Sequence, residues 1–139
     1  MPVQAIAKSV KQSPRKVAVV AALVRGRSVS DAITILENTP RRSAIAVKKT
    51  IESARANADY NHGYKPATLR IVEISVTPGP RLKRYRPAAR GAAHPFQKKS
   101  AHIRVVVDGE LRKSKSESTK NVAANAKSQS KVEKKVDKE

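Results

Sequence analysis

The stretch that decides the fold covers residues 79–100 and reads GPRLKRYRPAARGAAHPFQKKS. It contains seven basic residues and no acidic one, and its only large apolar side chains are Leu82, Tyr85 and Phe96. A connection of this length without structure is uncommon inside a compact domain, so we predict a β-hairpin with two extended arms. At about 3.3 Å per residue, arms of roughly eleven residues reach about 35 Å beyond the body.

A hairpin of this kind cannot be held by its own contacts. An isolated pair of strands is marginally stable in water, and like charges along the pair destabilise it further. We therefore expect the hairpin to take a fixed shape when laid against a polyanion whose phosphates neutralise its lysines and arginines. A solvated flexible loop is the alternative interpretation of the same residues.

The residues on either side of this segment predict two strands. Residues 69–76 are rich in β-branched side chains, and their apolar phase slips between Ile71 and Val72, which indicates a bulge or a late strand start. Residues 102–107 alternate, and their apolar side chains Ile103, Val105 and Val107 share one face. These two strands form the base from which the hairpin extends.

The N-terminal part of the chain begins with a possible strand over residues 3–11, followed by a first helix. Ser13 and Pro14 are typical of a helix start, with a hydroxyl at the N-cap and proline at the first helical position. Apolar residues then recur at helical spacing until Gly26 ends the helix.

Two more helices follow. Ser28 and Asp31 resemble a capping box at the start of a short second helix. The third helix opens after Pro40, closes near Gly63, and carries one apolar stripe: Ala44, Val47, Ile51, Ala54 and Ala58. The order of one strand, three helices and two strands predicts an α+β fold, a small antiparallel sheet with three helices packed against it and a long protruding β-hairpin.

The domain organisation follows from a change in composition near Gly109. We predict one domain over residues 1–110, which includes the basic hairpin at 79–100. Residues 111–139 contain no aromatic side chain, and their apolar residues are scattered among Lys, Ser, Asn and Glu. Such a segment buries too little apolar surface to fold, so we predict a disordered basic tail.

The overall charge indicates the kind of partner. Thirty Lys and Arg against eleven Asp and Glu give a formal net charge of +19, which favours a polyanionic partner. No apolar run approaches the roughly 20 residues of a membrane span, and no signal peptide is expected. The absence of Cys excludes disulfides and thiolate metal sites, and suits a reducing cytosol.

Folded RNA is the polyanion that the side chains favour. One Phe, three Tyr and no Trp are too few rings for a single-strand stacking platform, and no helix resembles a DNA-recognition helix. Catalysis finds no support, because His62, His94 and His102 lie far apart in sequence without a carboxylate pair. We therefore expect no enzymatic activity and no cofactor, and recognition of RNA by shape and backbone.

Four stretches of the sequence, in order and without large gaps, carry a resemblance to a known family. They are Ser13-Pro14-Arg15-Lys16, then Leu23-Val24-Arg25-Gly26 with Ser28-Val29, then Glu52-Ser53-Ala54 with Ala56-Asn57-Ala58, and residues 83–107 with Gly91 and His102-Ile103. Over nearly all of residues 1–108 the chain resembles the bacterial large-subunit ribosomal protein twenty-two family. A free nucleic-acid-binding module, such as a nucleoid or RNA-chaperone protein, is the alternative.

The resemblance implies a place and a role. It implies a cytoplasmic protein of the ribosome, with its body bound to large-subunit rRNA near the exit of the peptide tunnel and beside neighbouring ribosomal proteins. The hairpin would lie between rRNA segments, and its tip would form part of the tunnel wall, close to the nascent peptide and to where macrolides bind. Members of the family also take part in subunit assembly.

The candidate site residues follow from the basic positions and the resemblance. The rRNA-binding candidates are Lys8, Lys11, Arg15, Lys16, Arg25, Arg27, Arg81, Lys83, Arg84, Arg86, Arg90, Lys98 and Lys99. The candidates for the tunnel-lining tip are Gly91, Ala92, Ala93 and His94. Two residues depart from the family pattern, since Ala88 and Ala92 fall where basic or polar side chains are usual, which predicts a weakly charged tip.

Overall fold

The computed structural model describes residues 2–112, so residues 113–139 of the predicted tail lie outside the described residues. Its helices and strands are β1 (Val3–Val10), α1 (Pro14–Val24), α2 (Val29–Glu37), α3 (Arg42–His62), β2 (Arg70–Pro87) and β3 (Ala93–Asp108). The three strands form one antiparallel sheet in the order β1-β3-β2. The predicted α+β fold, with three helices and a long hairpin, is confirmed.

The helix ends show which local signals act as the sequence predicts. The Ser28 hydroxyl accepts the Asp31 amide at 3.1 Å, and Gly63 ends α3 in the left-handed conformation at φ 64°. The predicted side-chain cap at Ser13 is wrong. Its carbonyl oxygen, not its hydroxyl, accepts the amides of Lys16 and Val17 at 3.0 and 3.1 Å.

The core lies between one face of the sheet and the helices. All five members of the predicted α3 stripe are buried, and so are the three apolar side chains on one face of β3. Fully burying each Val or Ile side chain contributes about 1.5–3 kcal/mol. The hydrophobic core of the body therefore includes no residue of the segment 79–100.

The ladder between β2 and β3 continues well past this core. It runs from Arg70 opposite Asp108 to Pro87 opposite Ala93, with register shifts between Ile71 and Glu73 and between Pro78 and Arg81. The first shift confirms the bulge predicted where the apolar phase slips. The second leaves Gly79 and Pro80 without ladder partners, where the hairpin leaves the body. We call the paired residues 81–87 and 93–99, with the turn between them, the arm.

The far end of the body receives the first two residues of the predicted tail. Leu111 forms an isolated bridge with Tyr64, and the Arg112 amide donates to the Gly63 carbonyl at 2.8 Å. The Arg112 guanidinium also lies 2.7 Å from the Asp59 carboxylate. Burial, with the nearby Asp108 carboxylate, raises the pKa of Tyr64 above its ordinary value. Residues 111 and 112 thus lie against the body at the end opposite the arm.

Candidate nucleic-acid interface

The arm presents nearly all of its side chains to solvent. Every residue from 81 to 99 is exposed except Ala88, which is half-buried. The basic candidates on the arm are therefore all accessible, and none of them contributes to the hydrophobic core. This distribution is the reverse of that in the body, where burial alternates along β1 and β3.

Pairing sorts the arm residues into two faces, because side chains directly opposite each other point to the same side of the ladder. One face continues the core side of β3 through Ala101, and we call it the helix-side face; its pairs are Arg81–Lys99, Lys83–Gln97, Tyr85–Pro95 and Pro87–Ala93. The other we call the open face; its pairs are Leu82–Lys98, Arg84–Phe96 and Arg86–His94. Both faces are basic.

The open face carries an aromatic contact. The Arg86 guanidinium carbon lies 5.5 Å from the centroid of the Phe96 ring, within the range of a cation–π interaction. Phe96 is 36% exposed, whereas Tyr85 on the helix-side face is 71% exposed. This contact favours a fixed orientation of the Arg86 side chain on the open face.

The turn at the end of the arm is centred on Arg90 and Gly91. Both have left-handed backbone conformations, with φ values of 58° and 74°, and the Ala88 amide donates to the Ala92 carbonyl at 2.8 Å to close the turn. Gly91 adopts this conformation without steric cost. Arg90, predicted as an rRNA-binding residue of the hairpin and not among the four tip candidates, therefore lies at the tip.

The four predicted tip residues are divided between the turn and the ladder. Gly91 and Ala92 lie in the turn, whereas Ala93 and His94 are already paired with Pro87 and Arg86. The apex therefore lies slightly before the centre of the predicted tip. It is also more basic than the alanines alone suggested, because Arg90 is exposed there.

Two basic clefts flank the place where the arm joins the body. One, of about 310 Å³, is lined by Ser13, Pro14, Arg15, Arg81, Lys99 and Ser100. The other, of about 550 Å³, is lined by Ser9, Lys11, Pro80, Leu82, Lys98, Lys99 and Ser100. The fold thus brings together body candidates and arm candidates that are more than 60 residues apart in sequence.

Arg25 and Arg27 lie at the other end of α1. This helix of eleven residues spans about 16 Å, so both arginines are well separated from the clefts. The Arg25 guanidinium donates to the Ile74 carbonyl at 3.2 Å, and Arg27 Nε donates to the Leu23 carbonyl at 2.9 Å. Both side chains are exposed, and each has further N–H groups that these bonds do not use.

The open side of the sheet holds a basic residue that sequence reasoning missed. Arg104 is exposed on β3, where it pairs with Ile6 on β1 and Ser75 on β2. Lys8, a predicted candidate, is exposed two residues along β1 from Ile6. The alternation of Ile103 and Val105 toward the core was the signal that points Arg104 outward.

The charge of this surface has no internal counter-charge. No Asp or Glu occurs in residues 2–30 or 74–107, the segments that contain all thirteen rRNA-binding candidates. Within residues 2–112 the ion pairs use Lys48, Lys65 and Arg112, and none of the candidates. The positive charge along the arm and around its base is therefore available to an external anion.

Across the described range 2–112, no group of three or more His, Cys, Asp or Glu side chains is placed to hold a metal ion. No helix in that range is both long and apolar enough to cross a membrane.

Comparison with protein families identifies the family of the chain. A family model described as Ribosomal protein L22p/L17e matches residues 5–108. The matched region contains all three helices, the arm with its turn, and both basic clefts. The chain therefore belongs to the ribosomal protein L22p/L17e family, and it is a structural, rRNA-binding protein of the large ribosomal subunit rather than an enzyme.

Proposed function

We propose that the body anchors the protein on large-subunit rRNA while the arm lies between rRNA segments and its tip forms part of the wall of the peptide exit tunnel. The observation that carries this proposal is the arm itself, a paired ladder that extends beyond the core with every basic side chain exposed. It has no apolar interior and no acidic residue to hold it. Folded RNA would supply a surface on which the arm packs and phosphates that neutralise its basic side chains.

The energetics of the arm favour RNA on both of its faces. Arg81 is opposite Lys99, and such like-charged neighbours repel each other in the free protein. Phosphates on either side convert this repulsion into attraction and release their counterions. An arm with one basic face would lie on an RNA surface, whereas an arm with two fits between RNA segments.

The turn has a size and chemistry suited to a tunnel wall. Alanines at 88, 89, 92 and 93 keep the end of the arm narrow, and Arg90 is the only charged side chain in the turn. An exposed arginine at the apex is able to contact either the RNA of the wall or a passing nascent peptide. Contacts with neighbouring ribosomal proteins, and assembly of the subunit, would depend on the body and the sides of the arm.

Site-specific crosslinking tests the tunnel assignment. A photo-crosslinking amino acid at position 90 should react with nascent peptides in stalled, translating ribosomes. The matched control is the same amino acid at Lys49, an exposed position on α3 in the body, which should not react with the peptide. Ribosomes that contain the protein but give no peptide crosslink from positions 89–92 would exclude a tunnel-lining tip, while leaving the rRNA-binding role intact.

A further inference from the structure

The smaller cleft lies between the start of α1 and the base of the arm. Ser13, Pro14 and Arg15 from the start of α1 form one wall, and Arg81, Lys99 and Ser100 from the base of the arm form the other. The volume of about 310 Å³ is open to solvent. Body and arm thus face each other across a polar gap.

Three cations converge on this gap without a carboxylate. Arg81 and Lys99 are directly opposite each other in the ladder and share the helix-side face, and Arg15 approaches from α1. None of them forms an ion pair within residues 2–112. Convergent positive charges repel each other in the free protein, and an anion bound between them removes that repulsion.

The polar groups beside these cations are also suited to an anion. Ser13 lines the cleft, where its hydroxyl can donate to an anion. Two guanidinium groups offer paired N–H donors that match the geometry of phosphate oxygens, and Lys99 adds a point charge. Such donors bind carboxylates and phosphates alike, and the rRNA-binding role of the chain makes a phosphate the expected ligand.

The base of the arm is the point where the ladder is interrupted. Gly79 and Pro80 have no ladder partners, and the hydrogen bond from Ser100 Oγ to the Pro80 carbonyl, at 2.7 Å, spans the bulge. A Cβ at Gly79 would lie 2.6 Å from Ser100 Oγ, so the backbone there is closely packed. On the body side of the bulge the strands pack on the core, whereas beyond it their side chains are exposed.

Resting on the rRNA-binding role proposed above, we propose that the cleft between Arg15, Arg81 and Lys99 binds one phosphate of the RNA backbone and thereby fixes the direction of the arm relative to the body. The phosphate bridges α1 and the arm across the bulge. The remaining basic residues of the arm hold its length against RNA, whereas this one contact sets its angle.

Salt dependence of RNA binding distinguishes one shared phosphate from three separate ones. The triple variant R15Q/R81Q/K99Q should reduce the slope of log K against log salt by about 0.7–0.9, the value for a single phosphate. The matched triple K83Q/R90Q/K98Q removes the same charge from separate positions and should reduce the slope by about two to three. Equal reductions in the two variants, or no reduction in the first, would overturn the shared site.

The angle of the arm is measured by distances between spin labels on the full chain. The protein contains no Cys, so Tyr60→Cys on α3 and Ala92→Cys in the turn give one label on the body and one at the tip. A bound large-subunit rRNA fragment should narrow the distance distribution in the parent and in K83Q/R90Q/K98Q. In R15Q/R81Q/K99Q the fragment should still bind, but the distribution should stay broad.

The outcomes separate this inference from the function on which it rests. If the parent chain binds no large-subunit rRNA fragment at all, the proposed rRNA-binding mode fails. If R15Q/R81Q/K99Q binds RNA and its distance distribution narrows as in the parent, the phosphate cleft fails and the rRNA-binding mode stands. A thermal unfolding midpoint equal to that of the parent shows that the variant is folded in either case.

Discussion

The body and the arm share the strands β2 and β3 but are stabilised in different ways. In the body, β3 alternates between buried residues such as Ile103 and exposed ones such as Arg104. In the arm, the same strand has no buried residue at all, yet its pairing with β2 continues to the turn. A ladder of hydrogen bonds is thus common to both regions, and only one of them has a core that specifies it.

The largest difference is expected in RNA binding. If each of Lys83, Arg84, Arg86 and Lys98 contacts a phosphate as proposed, replacing all four by Ala should lower the affinity for rRNA by on the order of a thousandfold at about 0.1 M salt and flatten the salt slope by about three units. The measurement is a filter-binding titration against an rRNA fragment over a range of salt concentrations.

A charge-matched control lies on the body. Arg41, Arg42, Lys49 and Arg55 are exposed at the start of α3 and along it, and none is a candidate. Their replacement by Ala should leave the slope within about one unit. If both variants lose the same slope, binding reports net charge, and the distinction between arm and body fails for RNA.

The free energy of unfolding should depend on the body much more than on the arm. Ile51 is fully buried in α3, and Ile51→Ala should lower the free energy of unfolding by about 2–5 kcal/mol because it leaves a cavity in the core. Leu82 on the arm is 52% exposed, and Leu82→Ala should change the free energy of unfolding by less than about 0.5 kcal/mol. Urea unfolding of the free protein measures both; a large loss for Leu82→Ala would mean that the arm is part of the cooperative unit.

A smaller effect should separate two serines at helix starts. The Ser28 hydroxyl accepts the Asp31 amide, so Ser28→Ala should cost about 1 kcal/mol of stability. The Ser13 hydroxyl caps nothing, so Ser13→Ala should leave stability nearly unchanged while weakening RNA binding at the cleft. Comparable losses of stability in the two variants would show that Ser13 caps α1 in solution.

The last effect is confined to alkaline pH. The pKa of Tyr64 is raised by burial and by Asp108, so the folded state favours its neutral form. The stabilisation is complete below the unfolded pKa of about 10 and is lost as pH rises through the higher folded value. The pKa of Lys48 is also raised, by its hydrogen bond to Glu37, and acts in the same direction.

Tyr64→Phe isolates the contribution of the tyrosine. The midpoint of thermal unfolding should fall as pH rises above about 10 in the parent chain, and it should fall less steeply in the variant, which retains the contribution of Lys48. An equal fall in both proteins would show that ionisation of Tyr64 does not contribute to the alkaline loss of stability.

The sequence predicts those features that depend on neighbours along the chain. The bulge beside Val72 is visible because a slip in apolar phase must be absorbed by an extra residue in the ladder. The α3 stripe and the Ser28 cap are likewise local patterns. The Ser13 cap fails because the Ser13 carbonyl accepts the Lys16 amide that the hydroxyl would have bound, a competition that residue types alone do not decide.

The candidate site is predicted less completely, because it depends on register. Arg90 belongs at the tip only once Pro87 is known to pair with Ala93. The clefts join Lys11 and Arg15 to residues that lie more than 60 positions away, and their formation requires the packing of α1 beside the sheet. Composition identifies the basic residues as a set, whereas the fold decides which of them act together.

The pairing of the arm also restricts the lengths that the arm can have. Adding one residue to one strand would rotate everything beyond it to the opposite face, and Arg86 would leave Phe96. Adding one residue to each strand preserves the pairing but still exchanges the two faces beyond the insertion. Only the addition of two residues to each strand restores the faces, and it moves Arg90 by about 7 Å. The reach of the arm can therefore change only in large steps if its two faces are to keep their partners.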